Sequence, residues 1–121
     1  MEQICVLDYL PFSDALVDEI RIDSQEDPEI QLIVRYIIEG WPEKHSEIPI
    51  NARVYWKSKH ELSTYNGLVL KNDRILIPRK LRHKVLEKLH QSHSGIEATT
   101  KLARDTVFWP GITDQNRQRI Q

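Results

Sequence analysis

The stretch LSTYNGLVLKNDRILIP, residues 62–78, contains three short apolar runs separated by two turn dipeptides. The dipeptides Asn66-Gly67 and Asn72-Asp73 tolerate the positive φ angles that tight hairpin turns require. The proline that ends the stretch lacks a backbone N–H and stops strand pairing. We therefore predict a small three-stranded antiparallel meander. Such a meander is marginally stable alone and must pack against helices.

Two helices are predicted on the N-terminal side of this meander. The first covers about 14–22, with Ser13 as its N-cap. The second covers about 28–39, because Pro28 suits the first turn of a helix and Gly40 suits its end. Apolar residues recur at helical spacing in both helices. They are Leu16, Ile20 and Ile22 in the first helix, and Ile30, Ile33, Val34, Ile37 and Ile38 in the second.

The segments between these elements have weaker patterns. Asp23 and Ser24 are expected to end the first helix, and Ser24 or Asp27 to cap the second. Residues 42–50 are polar, contain two prolines and predict a loop. A short helix is predicted over 51–60, with three apolar side chains facing inward: Val54, Tyr55 and Trp56.

After the meander the apolar period becomes helical. A helix over 79–92 is expected to bury Leu81, Val85, Leu86 and Leu89. A second helix over about 95–106 follows, then an aromatic turn at 108–111 and a last helical segment capped by Thr113 or Asp114. We predict an α+β fold with N-terminal helices packed on the meander and a helical subdomain behind it. The predicted division is 1–78 and 79–121.

Composition excludes several classes of protein. The chain of 121 residues is 40% hydrophobic and 29% charged, which is typical of a soluble globular domain. We expect no membrane contact, because no apolar run approaches the roughly 20 residues that span a bilayer. We expect no secretory leader, because the N-terminus has neither a basic region nor a long apolar region. Cys5 is the only cysteine, which rules out an intrachain disulfide and favours a reducing compartment.

Charge divides the chain into unlike halves. Residues 1–50 contain 3 Lys/Arg and 12 Asp/Glu, whereas residues 51–121 contain 14 Lys/Arg and 6 Asp/Glu. Clustered Lys and Arg favour nucleic-acid contact. An acidic half that packs against the basic half, or two simply solvated halves, would explain the same split. From charge alone, these alternatives remain open.

His90 and His93 form the one histidine constellation, three residues apart on a predicted helix face. Both imidazoles could reach one metal ion, but a structural zinc site takes four ligands, typically Cys and His. A pair of half-exposed histidines at a helix end is the simpler interpretation of the spacing. No phosphate-binding loop, nucleophile elbow or other catalytic motif is present, so we expect no enzyme activity from this chain by itself.

Further motifs in this region form a longer pattern. They are IP at 77–78, LEKLHQSHSGI at 86–96, Thr100, Ala103-Arg104 and WPG at 109–111. In order and spacing they closely resemble the zinc-binding N-terminal domain of gypsy-class LTR-retrotransposon integrases. EGWP at 39–42 resembles the segment that joins RNase H to integrase in such polyproteins. The residues YW at 55–56 and NGL at 66–68 are similar to the extension domain that follows it.

This resemblance implies zinc binding by His90 and His93, with structural roles for five further residues: Trp41, Gly95, Trp109, Pro110 and Gly111. The family's pattern continues with a Cys-x-x-Cys that would begin about two residues beyond Gln121. Asn116 also replaces a usually apolar residue. We therefore expect an incomplete zinc site and no other cofactor.

The function implied by the resemblance is that of a non-catalytic part of a retrotransposon integrase, which aids DNA-end binding and multimer assembly. Phosphate contacts are expected from one set of basic residues: Lys80, Arg82, Lys84, Lys88, Lys101 and Arg104. The alternative is a host-domesticated module that dimerises or binds a host protein through the apolar faces of helices 79–92 and 95–106. A stand-alone nuclease is the third hypothesis. Any of these would work in the nucleus or the cytoplasm.

Overall fold

The structure is a computed structural model that describes residues 12–92, 101 and 105–112. Its first two helices are α1, Asp14–Glu26, and α2, Pro28–Glu39. The side chain of Ser13 caps α1 by accepting a hydrogen bond from the backbone N–H of Leu16 at 3.2 Å. Asp27 caps α2 in the same way, by accepting from Glu29 and Ile30 at 2.9 and 3.2 Å. Asp27 is thus the single residue that separates the two helices.

The predicted end of α1 at Asp23 and Ser24 is wrong. Ser24 is buried one turn after Ile20, on the face that packs against α2. Its carbonyl oxygen accepts a hydrogen bond from the side chain of Gln31 at 2.9 Å. A small side chain is needed where two helices approach closely, so Ser24 belongs to the helix interface and does not end α1.

Two isoleucines predicted to face the core are exposed instead. Ile22 follows the buried Ile20 by two residues, which places it about 200° around the helix axis. Ile38 follows the buried Ile33 by five residues, or about 140° around the axis. Both therefore point away from the buried stripe, although they match the apolar composition of their helices.

The segment between α2 and the sheet contains the 3₁₀ turn His45–Glu47, the short helix α3, Ile50–Arg53, and the 3₁₀ helix Trp56–Glu61. Only one of the three side chains predicted to face inward is fully buried. Tyr55 lies in the core, Trp56 is half-buried and Val54 is exposed. The predicted helix over 51–60 is thus two shorter pieces that meet at the buried tyrosine.

The predicted meander is confirmed and gains a fourth strand. Its strands are β1, Leu62–Tyr65, β2, Leu68–Lys71, and β3, Arg74–Leu76, paired antiparallel in that order. The three tight-turn residues with positive φ are Asn66 at 49°, Gly67 at 83° and Asn72 at 55°.

Strand β4, Val107–Phe108, lies parallel to β3 at the edge of the sheet. Ile75 is opposite Val107, and the backbone N–H of Ile77 donates to the carbonyl oxygen of Phe108 at 3.1 Å. The sequence predicted an aromatic turn at 108–111. Phe108 is instead paired in the sheet, and the described turn lies at Pro110 and Gly111.

After the 3₁₀ turn Arg79–Leu81, helix α4 covers Arg82–Ser92, close to the predicted 79–92. One core cluster contains side chains from α1, α2, the sheet and α4, together with the buried Trp109. The predicted α+β class is confirmed. The division at residue 78 stays a prediction, since the described core extends across it. Of the predicted helix over 95–106, only Lys101, Asp105 and Thr106 are described, and they are helical.

No helix in the described ranges is long and apolar enough to cross a membrane.

The hairpin turn after β1 is expected to be sensitive to Gly67→Ala for two reasons. A β-carbon there would lie 2.8 Å from Cγ of Arg21, and the φ of 83° disfavours any L side chain. Gly111 shares this backbone conformation, with φ 82°, but a β-carbon added to it would have no neighbouring atom of the described residues within 4 Å. Left-handed backbone costs an alanine about 1–2 kcal/mol.

We therefore expect Gly67→Ala to lower the free energy of unfolding by about 2–3 kcal/mol and Gly111→Ala by about 1–2 kcal/mol. Urea titration followed by circular dichroism measures both. Equal losses in the two variants would contradict the close approach of Arg21 to the turn.

Candidate functional site

Helix α4 presents a basic face to solvent because its other face packs in the core. Leu81, Val85, Leu86 and Leu89 are all buried. Their spacing leaves a set of exposed polar side chains on the opposite side: Lys80, His83, Lys84 and Lys88. The apolar face of 79–92 is therefore occupied within the chain. This removes the support that this helix gave to the dimerisation-module alternative.

The acidic N-terminal helices neutralise part of this basic face. Nζ of Lys84 lies 2.8 Å from a carboxylate oxygen of Glu19 on α1. This pair is half-exposed, so it contributes at most about 1 kcal/mol. It supports one of the alternatives left open by the sequence, in which the acidic half of the chain packs on the basic half.

Arg82 was expected to face solvent, and this expectation is wrong. Its side chain is 12% exposed, and its Nε donates a hydrogen bond to the carbonyl oxygen of Ile77 at 3.0 Å. One terminal nitrogen lies 3.8 Å from Glu29. This distance permits an ion pair but is too long for a hydrogen bond. The side chain of Arg82 thus packs in the interior of the fold.

The remaining predicted phosphate contacts are spread along the chain. Lys80 and Lys101 are exposed, whereas Arg104 lies outside the described residues. The structure therefore places Lys84 and Lys88 on the exposed face of α4 and Lys80 in the 3₁₀ turn before it, and does not group Arg82 with them.

Sequence reasoning missed a buried polar cluster around Glu29. The carboxylate of Glu29 is 13% exposed and accepts a hydrogen bond from the Tyr55 hydroxyl at 3.1 Å. Arg79 and Arg82 each lie 3.8 Å from it. Burial, followed by the negative charge of Glu29, raises the pKa of Tyr55 well above its ordinary value. The one available signal was Glu29 itself, an acidic residue in the first turn of a mostly apolar helix.

His90 occupies the last turn of α4 and has a buried ring nitrogen. Its Nε2 atom has no hydrogen-bond partner among the described residues. Buried polar atoms without partners are rare, and a water molecule or an ion is one explanation for them; imidazole nitrogen is a common zinc ligand. His93 lies outside the described ranges. Within those ranges, no group of three or more His, Cys, Asp or Glu side chains is arranged to hold a metal ion.

The residues predicted to have structural roles take different positions. Trp109 is buried in the core, and Pro110 and Gly111 form the turn after β4. Trp41 is half-buried with its ring 5.0 Å from that of Tyr36. Gly95 is outside the described residues.

Comparison with known proteins agrees with the resemblance drawn from the motifs. Residues 77–121 match the family model described as the integrase zinc binding domain. A Caenorhabditis elegans protein, described as "Uncharacterized protein K02A2.6", is 33% identical over 97 residues. This alignment covers 78% of the chain but only 7% of the relative. No solved structure matches the chain. The predicted resemblance to an N-terminal part of an integrase is confirmed.

The raised pKa of Tyr55 predicts an alkaline loss of stability. Above pH about 10 the unfolded chain releases the Tyr55 proton, while the native chain retains it. Because the native state then binds more protons, its stability falls as pH rises. The contribution of this one group is at most about 1.4 kcal/mol per pH unit.

Urea unfolding at pH 8.5 and 10.5 measures this effect in the wild type and two variants. Tyr55→Phe is expected to lower stability at pH 8.5 by about 1–3 kcal/mol, because Glu29 loses a hydrogen bond. It should also show a smaller alkaline loss than the wild type. Tyr65→Phe, at an exposed tyrosine, should retain the wild-type alkaline loss. An unchanged alkaline loss in Tyr55→Phe would contradict the effect of burial.

Proposed function

We propose, from the match of residues 77–121 to the integrase zinc binding domain, that this chain is a non-catalytic part of an integrase. In that role it helps to hold DNA ends and to assemble the multimer, which places it in the nucleus. The observation that carries the proposal is the arrangement of α4, with its apolar face in the core and lysines in solvent. A helix held in this way presents cations to DNA phosphates without having to expose its apolar side.

Phosphate contacts of this kind make binding sensitive to salt and largely independent of sequence. Lys80, Lys84, Lys88 and Lys101 are exposed and carry the proposal. Lys84 also forms an ion pair with Glu19. Arg82 is excluded, since its side chain is buried against Glu29 and the backbone of Ile77.

Zinc belongs to the proposal through His90 and His93. The unpartnered Nε2 of His90 fits a metal ligand, and His93 follows it by three residues. A bound zinc ion would act structurally, by fixing the end of α4 to the chain that follows. Two imidazoles alone hold zinc less tightly than the closed four-ligand sites of structural zinc domains.

Multimer assembly is supported by apolar side chains that the described fold leaves in solvent. Ile38 on α2 and Ile50 on α3 are 71% and 80% exposed. Single exposed apolar residues are common on monomers, so these two support assembly only together with the family match. We do not propose the host-domesticated module as a second function, because the buried face of α4 no longer favours it.

DNA binding is tested with the variant Lys80→Gln/Lys88→Gln/Lys101→Gln. Each lost phosphate contact lowers the slope of log affinity against log salt by about 0.9 for duplex DNA. We expect a shallower salt dependence and at least tenfold weaker binding to a 20-base-pair duplex at 50 mM salt. Fluorescence anisotropy with a labelled duplex measures both quantities.

The matched control is Lys80→Arg/Lys88→Arg/Lys101→Arg, which keeps the charges and should bind as the wild type does. A wild-type chain that shows no duplex binding at 50 mM salt would overturn the proposed DNA contact. An unaffected triple glutamine variant would show that α4 does not provide it.

Zinc binding is tested with His90→Gln, and His83→Gln on the same helix is the control. His83 is exposed and lies 3.7 Å from Glu87, so its loss should leave a site at His90 intact. Equimolar zinc is expected to raise the thermal midpoint of the wild type and of His83→Gln, and a chelator should reverse the increase. The same increase in His90→Gln, or none in the wild type, would refute zinc binding at His90.

A further inference from the structure

Three cations without carboxylate partners among the described residues lie together on the sheet side of the molecule. An open groove of about 460 Å³ lies between the 3₁₀ helix Trp56–Glu61 and the β4 edge of the sheet. Lys57, Lys71 and Arg74 line it, and none of its ten lining residues in the described ranges is acidic. In the part of the chain that the structure describes, none of these three cations forms an ion pair.

Two of these cations are held face to face by the sheet. Lys71 on β2 is directly opposite Arg74 on β3 in the antiparallel register. Like charges at opposed positions destabilise a strand pair, and Glu or Asp at either position would have formed a favourable pair. The pairing of Lys71 with Arg74 is therefore unfavourable for the sheet, but it concentrates positive charge at one place.

Phe108 of β4 fixes the position of both cations. Nζ of Lys71 lies 4.2 Å from the centre of the ring, and the guanidinium carbon of Arg74 lies 5.7 Å from it. Both distances are within the range of cation–π attraction. Tyr55 supports the ring from inside the core by an edge-to-face contact at 6.2 Å. The charges are therefore preorganised on a rigid aromatic platform.

Apolar side chains form most of the rest of the groove. Val54 is exposed, and Pro110 and Ile112 are half-buried. Cations beside aromatic and apolar surface suit a ligand that alternates negative groups with flat apolar groups. Single-stranded nucleic acid has this chemistry, because its phosphates bind cations while its unstacked bases pack on apolar surface. In a continuous duplex the bases stack on one another and are unavailable to the groove.

We propose that this groove binds a short single-stranded segment of nucleic acid. Lys57, Lys71 and Arg74 contact its phosphates, and a base packs against the side formed by Val54, Pro110 and Ile112. The inference rests on the proposed function in that both require the chain to bind nucleic acid. It adds a second site, distinct from α4, and a preference for unpaired strands such as a frayed DNA end.

The test compares two triple variants with equal loss of charge. Lys57→Gln/Lys71→Gln/Arg74→Gln removes the groove cations, and Lys80→Gln/Lys88→Gln/Lys101→Gln (the α4 variant) removes cations that are proposed to contact the duplex. Each is titrated against a labelled 12-nucleotide single strand and a labelled duplex by fluorescence anisotropy. Circular dichroism verifies that both variants are folded, and Lys57→Arg/Lys71→Arg/Arg74→Lys is the charge-preserving control.

We expect the groove variant to bind the single strand at least tenfold more weakly and to lower its salt slope by about 2, or 0.7 for each lost contact. The α4 variant should keep most of its single-strand affinity. Phe108→Leu, which keeps apolar volume but removes the ring, should weaken single-strand binding about threefold while leaving duplex binding unchanged.

Several results would overturn the inference. The groove would be refuted if the groove variant bound the single strand as the wild type does. If the α4 variant then also lost duplex binding, the proposed function would remain supported. Equal losses in both triple variants would show that only net charge matters. If an acidic peptide with the same charge as the single strand binds more tightly than the strand does, the groove is a site for a protein partner. Absence of any nucleic-acid binding by the wild type would refute both proposals together.

Discussion

The carboxylate of Glu29 connects parts of the chain that are distant in sequence. It lies in the first turn of α2, accepts the hydrogen bond of Tyr55 and faces Arg82 at the start of α4. Tyr55 in turn packs edge to face on Phe108 of β4. Loss of one partner from a buried ionic cluster leaves the others uncompensated, which is strongly destabilising. The positions of α4 and of the groove therefore both depend on this one carboxylate.

The same cluster explains part of the charge asymmetry. Glu19 and Glu29 of the acidic half face Lys84, Arg79 and Arg82 of the basic half, so part of the charge on each half is compensated within the fold. The groove residues do not take part in this compensation. A positive surface thus remains on the sheet side, although the net charge of the whole chain is only −1.

Local patterns predicted most of the described fold. The meander follows from two turn dipeptides, and α4 from one apolar stripe, because both signals lie within a few neighbouring residues. Strand β4 was not predictable in this way, since two residues carry no pattern and their partner in β3 lies about thirty residues earlier. The end of α1 was missed because the burial of Ser24 depends on the approach of α2.

The candidate site shows the same limit. The outer lysines of α4 were predicted from periodicity, but the burial of Arg82 depends on Glu29, which is remote in sequence. The opposed pair Lys71 and Arg74 could have been found, because a two-residue turn at Asn72-Asp73 places its flanking residues opposite each other. That inference would have required the strand register to be worked out from the two-residue turn.

Photo-crosslinking with mass spectrometry tests the location of nucleic-acid contact most directly. The full chain would be irradiated with a photoreactive DNA duplex that carries a single-stranded overhang, and the crosslinked peptides would be sequenced. We expect crosslinks to the overhang in 54–74 and 105–112, and crosslinks to the duplex in 79–92. Crosslinks confined to α1 and α2, or none at low salt, would contradict nucleic-acid binding by the basic surfaces of this fold.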